Sequence, residues 1–230
     1  MNLRIAEIFS SVQGEGIWVG IPSTFVRVSG CNLRCVWCDT PYASWRPEGP
    51  MKSVDEVVDE VAKAGIDHVV LTGGEPMLFE AVEEMASRLK ANGHTITIET
   101  AGTIFRKLPC DLMSISPKLA NSTPVDEPSW RDRHDASRLN FQVLQALIDS
   151  YPYQLKFVVN PEEGDDLAEI ESVLAQLTGV DNSHVLLMPE GTDSETLHRR
   201  GKLLVGPVMA RNWRLTQRLH IDLFGNTKGT

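Results

Sequence analysis

The sequence contains no apolar segment approaching the roughly 20 residues that a membrane-spanning helix requires. Its N-terminus lacks the layout of a signal peptide, because Glu7 interrupts the first apolar stretch. Basic residues are also few, since 22 lysines and arginines face 31 aspartates and glutamates, for a net charge of −9. A face that binds nucleic acid would have to form against that negative field. We therefore expect a cytoplasmic protein that binds neither membranes nor nucleic acid.

Internal repeats and low-complexity segments are absent as well, and the composition is that of an ordinary soluble globular protein. Hydrophobic residues make up 42% of the chain and charged residues 23%. A chain of 230 residues is long enough to bury a full hydrophobic core. These properties predict a single domain that spans residues 1–230.

Cysteine is scarce, yet three of the four cysteines lie within eight residues, at Cys31, Cys35 and Cys38. In the cytosol, where thiols stay reduced, clustered cysteines more often hold metal than form disulfides. Three thiolates can hold a cluster of four irons and leave one iron without a protein ligand. That open iron can bind a small molecule, which makes such a cluster a possible reaction centre.

Two other interpretations of the cysteine motif stay open from the residues alone. The spacing i, i+4, i+7 also places the cysteines on one face of a helix, as buried core residues. Against this, the motif contains Gly30 and Asn32, which are typical of a loop. A zinc site would need a fourth ligand, from Asp39 or from the distant Cys110. If the motif holds an open iron–sulfur cluster instead, Cys110 is dispensable.

Strands and helices alternate along the chain. Apolar patterning predicts strands over 4–9, 23–29, 68–72, 94–100, 112–116, 154–159, 184–188 and 217–223, and helices over 53–64, 80–91, 136–150, 165–177 and 194–203. Alternation of this kind implies a parallel sheet with right-handed crossovers. About six βα units are present, fewer than the eight of a closed TIM barrel. We therefore predict an α/β fold, an open partial (β/α)6 TIM-like barrel.

Two polar segments interrupt this pattern, residues 41–52 and 119–135. Both contain prolines and are longer than most loops, and for 121–134 the composition favours disorder. Ligands of open α/β sheets bind at the carboxyl ends of the strands. Polar or glycine-rich segments follow the predicted strands at 72–76, 99–102, 116–118, Asn160 and 188–190.

A predicted strand after the cysteine motif ends in Gly73-Gly74-Glu75-Pro76. Together the two motifs resemble the radical S-adenosylmethionine (SAM) superfamily. The resemblance implies a 4Fe–4S cluster on the three cysteines, whose free iron is chelated by the amino and carboxylate groups of SAM. The glycines would let backbone approach the methionine end of SAM, and Glu75 would accept from its ammonium group. Trp37 would present an aromatic face near the adenine.

Further motifs resemble one family within this superfamily, the 7-carboxy-7-deazaguanine synthases. The resemblance runs from about Ile5 to Asn226, and its more specific parts are the Gln-Gly-Glu-Gly and Cys-Asp-Thr elements. The matching segments are 12–16, 20–27, 38–40, 99–103, 116–118, 156–159 and 217–220. Ala101 departs from the family, whose members often have asparagine there. Two alternatives stay open beside this match. One is a different radical SAM enzyme, such as a glycyl-radical activase, and the other is a non-enzymatic iron–sulfur or zinc protein in which Cys110 closes a four-cysteine site.

The resemblance implies an enzyme that converts 6-carboxy-5,6,7,8-tetrahydropterin into 7-carboxy-7-deazaguanine with loss of ammonia, in queuosine and deazapurine biosynthesis. It implies a 4Fe–4S cluster, SAM and Mg2+ as cofactors, with SAM regenerated in each cycle. One electron from a flavodoxin or ferredoxin reduces the cluster and cleaves SAM to a 5′-deoxyadenosyl radical. Because that radical forms on SAM, no side chain is assigned as catalytic. The family resemblance also implies a homodimer.

The family motifs assign roles to residues of this chain. The three clustered cysteines would hold the cluster, and the Thr40 hydroxyl would bind Mg2+ as a hard oxygen ligand. The Arg27 guanidinium would pair with the substrate carboxylate in a bidentate fork. Further substrate contacts are assigned to Val12, Gln13, Gly14, Glu15, Thr72 and His220. Contacts to SAM are assigned to Trp37, Asp39, Gly74, Glu75, Ser116, Pro117 and Lys118.

Overall fold

Nine strands form a single mixed sheet in the computed structural model, which describes residues 1–230. The strands are β1 (Asn2–Val12), β2 (Pro22–Val28), β3 (Met51–Ser53), β4 (His68–Gly73), β5 (Thr95–Thr100), β6 (Leu112–Ile115), β7 (Tyr153–Val159), β8 (Val185–Pro189) and β9 (Arg214–Leu215). The α-helices are α1 (Val54–Ala64), α2 (Ala81–Ala91), α3 (Pro128–Ser137), α4 (Phe141–Ser150), α5 (Asp166–Leu174), α6 (Ser194–Arg211) and α7 (Leu219–Phe224). None of these helices is both long and apolar enough to cross a bilayer.

The strand order across the sheet is β3-β1-β2-β4-β5-β6-β7-β8-β9, and the two edge strands do not pair with each other. Seven neighbouring strands, β2 and β4 to β9, run parallel. This open sheet confirms the predicted partial barrel. β1 departs from the predicted pattern, because it runs antiparallel to β2 and places Val12 opposite Pro22. The loop that follows β1 therefore starts at the amino ends of the parallel strands.

The two faces of the parallel strands are buried against different surroundings. Alternate residues such as Leu71, Ile98 and Phe157 belong to the main hydrophobic core, which the sheet shares with the helices. The residues between them point to the opposite face, where β7 carries the buried Gln154 and Lys156. The inner face of the sheet is therefore polar, which suits a binding site better than a second hydrophobic core.

Helix α1 shows how local signals place an element. The Ser53 hydroxyl accepts from the Glu56 N–H, and the Glu56 carboxylate accepts from the Ser53 N–H, which completes a capping box. Gly65 ends the helix in the left-handed region, at φ 63°. The apolar face is buried and consists of Val54, Val57, Val58 and Val61. The helix predicted over 53–64 is confirmed.

The strand predicted over 217–223 is wrong, because this segment forms helix α7. The alternation of Leu219, Ile221 and Leu223 is typical of a strand, yet only Ile221 is buried. The Leu219 N–H donates to the Gly14 carbonyl at 2.9 Å. A contact between the two ends of the chain thus starts the helix, and the local pattern does not contain that information.

The disorder expected for residues 121–134 is also wrong. A 3-10 turn covers Ala120–Ser122, and α3 follows it. Ser122 and His134 are fully buried, although the segment has no apolar periodicity. Both residues contact the cysteine loop, residues 30–45, through hydrogen bonds. Polar contacts order this segment, and composition alone does not reveal them.

His134 makes the stability of the cluster-free protein depend on pH. Burial lowers the pKa of its imidazole to about 4, and the nearby charges of Asp135, Arg138 and Lys118 act more weakly. The unfolded chain takes up this proton below a pKa of about 6.5. The contribution of the neutral His134 imidazole to the unfolding free energy is therefore fully present above a pH of about 6.5 and is lost as the pH falls towards 4.

We expect the difference in unfolding free energy between wild type and His134→Asn to shrink by about 1 to 2 kcal/mol from pH 7 to pH 5. Urea denaturation of the cluster-free proteins at both pH values measures this difference. A difference that stays constant across the range would contradict a buried neutral imidazole.

Candidate active site

A cavity of about 580 Å3 lies on the inner face of the sheet. The cysteine loop forms one wall, and the loop after β1 forms another. Every predicted site residue except Glu75 and Pro117 lines this cavity. Those that do are Val12, Gln13, Gly14, Glu15, Arg27, Cys31, Cys35, Trp37, Cys38, Asp39, Thr40, Thr72, Gly74, Ser116, Lys118 and His220.

The three clustered cysteines stand in apolar surroundings. Leu33, Ala101 and Trp37 pack around them in a small cluster separate from the main core. Burial raises the pKa of the Cys31 and Cys35 thiols to about 12. These groups therefore become thiolates only beside added positive charge, which iron provides. Three unpaired thiols in an apolar shell fit an iron–sulfur cluster.

Cys110 takes no part in this wall. Its thiol donates to the Ile96 carbonyl at 3.8 Å, at the amino end of β5. On β5 the cavity is lined instead by Glu99 and Thr100, at the carboxyl end of the strand. Thr100 lies about 13 Å from Ile96 along an extended chain. The zinc site closed by Cys110 is therefore excluded.

The glycine pair after β4 is required by the packing of the protein itself. A Cβ on Gly73 would lie 2.1 Å from the Val28 carbonyl oxygen, and one on Gly74 would lie 2.2 Å from the Gly30 carbonyl oxygen. Gly73 also has a φ of 141°, which favours glycine. Any side chain here would push β4 away from the start of the cysteine loop. Both glycines also line the cavity.

Glu75, assigned to SAM, lies outside the cavity wall. Its carboxylate is fully buried and accepts from the Thr100 hydroxyl and the Ala101 N–H, both at 2.8 Å, and from the Met77 N–H at 3.0 Å. These bonds turn the group away from the cavity and tie the end of β5 to the turn after β4. Pro117 does not line the cavity either, although its two neighbours do.

Trp37 and Lys118 stand next to each other on the cavity wall. The Lys118 ammonium lies 5.7 Å from the centre of the Trp37 ring, and it donates to the Ser116 carbonyl and hydroxyl at 2.8 Å. The Trp37 indole N–H donates to Asn121 at 3.2 Å, which fixes the plane of the ring. An aromatic face beside a cation and a hydroxyl suits a nucleoside that carries an anionic group.

Arg27 is fixed through the Nε atom of its guanidinium group. Its Nε donates to the Glu7 carboxylate at 2.6 Å, and the Tyr42 hydroxyl donates to the same oxygen at 2.6 Å. No protein acceptor contacts the two terminal nitrogens of Arg27, so the fork remains free for a ligand. Thr72 is its register partner on β4 and also lines the cavity.

A chain of alternating charges, which the predictions missed, links the walls of the cavity. Lys156 donates to the Glu15 carboxylate at 2.6 Å and to the Glu99 carboxylate at 2.9 Å. Arg218 donates to the other oxygen of Glu15 at 3.0 Å and also pairs with Asp39. Burial raises the pKa of Glu15, but the two cations outweigh burial and hold that pKa well below its usual range. Glu15 therefore stays ionised.

The sequence could have revealed one of the two cations of this charge chain as a buried residue, but not the other. Lys156 interrupts the buried strand Tyr153–Val159, and a charge within an apolar run indicates a buried partner. Arg218 belongs to the family-matched segment 217–220, but its local pattern does not distinguish it from a surface arginine. In this segment, Gln217 is exposed and lies outside the cavity wall.

The C-terminal segment closes against the loop after β1. A Cβ on Gly14 would lie 2.0 Å from His220 Nδ1, so only glycine fits at this contact. His220 itself lines the cavity, and burial lowers the pKa of its imidazole. His220 thus packs against the loop that follows β1.

Comparison with known proteins assigns the class first. Residues 25–136 match the model of the radical SAM superfamily. That match, the three-cysteine wall and the open βα sheet define a radical SAM enzyme, whose cofactors are a 4Fe–4S cluster and SAM. Buried core cysteines and a non-enzymatic metal protein are thereby excluded.

Relatives that align with nearly the whole chain then identify the family within this superfamily. The chain is 45% identical to the 7-carboxy-7-deazaguanine synthase of Halobacterium salinarum, covering 99% of this chain and 93% of the relative. It is 43% identical to that of Rhodopirellula baltica, covering 100% and 89%. The crystal structure of QueE from Escherichia coli superposes with a TM-score of 0.70 at 25% identity, covering 96% and 95%. The chain belongs to the 7-carboxy-7-deazaguanine synthase family.

Proposed function

We propose that this chain converts 6-carboxy-5,6,7,8-tetrahydropterin into 7-carboxy-7-deazaguanine with loss of ammonia. The observation that carries the proposal is one cavity that joins the three-cysteine wall to an unoccupied guanidinium fork and an ionised carboxylate. The cysteine wall suits radical generation, and the fork and carboxylate suit a substrate with both a carboxylate and an amino-amidine edge. The product would supply queuosine or other deazapurine synthesis.

Cys31, Cys35 and Cys38 would hold the cluster, and the neighbouring wall would hold SAM. When bound, the cluster and SAM together supply a 5′-deoxyadenosyl radical for hydrogen abstraction. Trp37 would stack on the adenine, while Lys118 would face an anionic group. Gly74, Ser116 and Asp39 would complete the SAM contacts from the same wall.

For the substrate, Arg27 would bind the carboxylate through its two free terminal nitrogens, with Thr72 beside it. Glu15 would accept from the amino-amidine edge, because each of its oxygens keeps a second acceptor site beside Lys156 or Arg218. Val12, Gln13, Gly14 and His220 would form the rest of the substrate wall. The ion pairs fix Glu15 before the substrate arrives, which reduces the entropy lost on binding.

Thr40 would supply a hydroxyl ligand to Mg2+. It lines the cavity, and its Oγ1 lies 3.9 Å from Cys38 Sγ, a distance that leaves the oxygen available. The neighbouring Asp39 carboxylate is engaged by Arg218 and is a weaker candidate. Substrate oxygens and water would complete the octahedron that Mg2+ requires.

A flavodoxin or ferredoxin would deliver the electron. Val36, between the second and third cysteines, is 60% exposed, so the cluster loop reaches the protein surface where such a donor could approach. We further propose a cytoplasmic homodimer whose single domain spans residues 1–230. Its open sheet edges would gain from pairing.

An anaerobic assay tests the proposed reaction. Reconstituted protein is incubated with SAM, dithionite and 6-carboxytetrahydropterin, with and without Mg2+, and the products are analysed by mass. We expect 7-carboxy-7-deazaguanine, and less of it without Mg2+. Release of 5′-deoxyadenosine alone would reject this substrate but keep the enzyme class, and equal product without Mg2+ would reject the role of Thr40.

A further inference from the structure

Helix α3 packs one face onto the cysteine loop. Trp130 and His134 are four residues apart, so they share a face of the helix. Both contact Arg34, the residue before the second cysteine. No residue of α3 belongs to the main hydrophobic core. Contacts with the cysteine loop and its neighbours, rather than with the core, therefore hold this helix in place.

The hydrogen bonds of His134 define its tautomer. The Ser122 hydroxyl has one proton, which it donates to the Leu119 carbonyl at 2.6 Å. His134 Nε2 lies 2.9 Å from that hydroxyl and so carries the proton that it donates. Nδ1 is then an acceptor, and it accepts from the Arg34 N–H at 3.1 Å. The neutral imidazole thus bridges the segment before α3 and the cysteine loop.

The same segment holds a second amide of the loop. The Val36 N–H donates to the Ser122 carbonyl at 2.9 Å. Arg34 and Val36 flank Cys35, so the backbone is anchored on both sides of this cysteine. The Trp45 indole N–H also donates to the Cys35 carbonyl at 3.0 Å. The peptides around Cys35 therefore have little freedom to rotate.

The Arg34 side chain adds a third connection to α3. Its guanidinium carbon lies 4.1 Å from the centre of the Trp130 ring, a favourable cation–π contact. Its Nη1 donates to the carbonyls of Cys31 and Leu33, at 2.8 and 2.7 Å. One residue therefore connects the helix, the first cysteine and the second cysteine.

We propose that His134 is a positioning residue for the iron–sulfur cluster, acting through the Arg34 amide on the orientation of the Cys35 thiolate. This inference rests on the proposed function only in that Cys35 binds the cluster. Without an acceptor, the Arg34 N–H loses a hydrogen bond in a part-buried site, and its peptide rotates towards another partner. The Cys35 side chain moves with that peptide. Loss of such a supporting partner typically weakens metal binding by about 10- to 100-fold.

Two variants separate the two ring nitrogens of His134. In His134→Asn the side-chain oxygen lies near the position of Nδ1 and keeps an acceptor for Arg34. In His134→Gln the amide lies near Nε2 and keeps only a partner for Ser122. We expect His134→Gln to lose iron to a chelator about ten times faster than wild type, and His134→Asn to stay within about threefold. Asp132→Ala, on the exposed side of α3, is the control and should match wild type.

The electron paramagnetic resonance spectrum of the reduced cluster, recorded without substrate, gives a readout that a general loss of stability does not change. We expect the spectrum to change in His134→Gln and not in His134→Asn. The proposal would be overturned if His134→Gln, His134→Asn and Asp132→Ala lost iron at the same rate and gave the same spectrum.

If His134→Gln does not fold, amide hydrogen exchange of the wild-type chain tests whether α3 is coupled to cluster binding. Because the Arg34–His134 hydrogen bond and the Arg34–Trp130 contact join the loop to α3, cluster binding should slow the exchange of amides in residues 129–137. Equal exchange with and without the cluster would overturn the proposal. None of these measurements needs the substrate, so a failed product assay leaves their outcome unaffected.

Discussion

Replacement of Cys35 by alanine is expected to abolish both product formation and SAM cleavage, whereas Cys110→Ala is expected to leave both unchanged. Cys35 is one of only three thiols on the cavity wall, and no fourth cysteine lies near enough to replace it. Iron content should fall from about four atoms per chain towards zero, with loss of the visible absorption of the cluster.

Cys110→Ala is a matched control, because the Cys110 thiol is also largely buried and its pKa is likewise raised to about 12 by burial. A Cys35→Ala protein that folds but lacks iron confirms that the loss is at the metal. Loss of iron in Cys110→Ala would instead make Cys110 a candidate cluster ligand. It would contradict the distance along β5 between the Cys110 thiol and the cavity.

Arg27→Lys is expected to lower the rate of product formation by about 10- to 100-fold while SAM cleavage by the reduced cluster survives. Lysine keeps the charge but loses the planar fork, and a charge-assisted hydrogen bond contributes about 1.5 to 3 kcal/mol. The three cysteines proposed to hold the cluster are unchanged in this variant. Separate measurement of 7-carboxy-7-deazaguanine and 5′-deoxyadenosine distinguishes the two reactions.

Glu7→Gln supplies the comparison for Arg27→Lys. This change weakens the bond that fixes Arg27 Nε but leaves the two terminal nitrogens in place. We expect a smaller loss of product than in Arg27→Lys, because the fork is less well oriented yet still present. Product formation at the wild-type rate in Arg27→Lys would remove Arg27 from the role of carboxylate ligand.

Local motifs account for the elements and residues that the sequence predicted. The capping box at Ser53 and the apolar spacing of α1 depend on residues within one or two turns, and the helix forms where they predict it. The cysteine loop is likewise predictable from neighbouring residues, because its three candidate cluster ligands are close in sequence. The strand-end segments at Thr72, Glu99 and Ser116 meet at one cavity, because parallel strands bring their carboxyl ends together.

The failures share a physical cause. The alternation of Leu219, Ile221 and Leu223 is typical of a strand, yet a hydrogen bond from the Leu219 N–H to the Gly14 carbonyl, near the other end of the chain, starts a helix there. The polar composition of 121–134 favours disorder, yet hydrogen bonds from the Arg34 and Val36 amides of the cysteine loop order it. In both segments a tertiary contact outweighs a weak local preference, since such preferences amount to less than about 1 kcal/mol per residue.

Order along the chain therefore determined the candidate cluster ligands, the class of fold and part of the cavity lining, because ligand type, spacing and strand alternation are local properties. The tertiary structure decided which charges meet. Arg218 pairs with Glu15 across 203 positions and Lys156 pairs with it across 141. The structure also turned Glu75 away from the cavity. A buried charge is stable only beside its partner, and that partner is chosen by the packing of distant segments rather than by neighbouring residues.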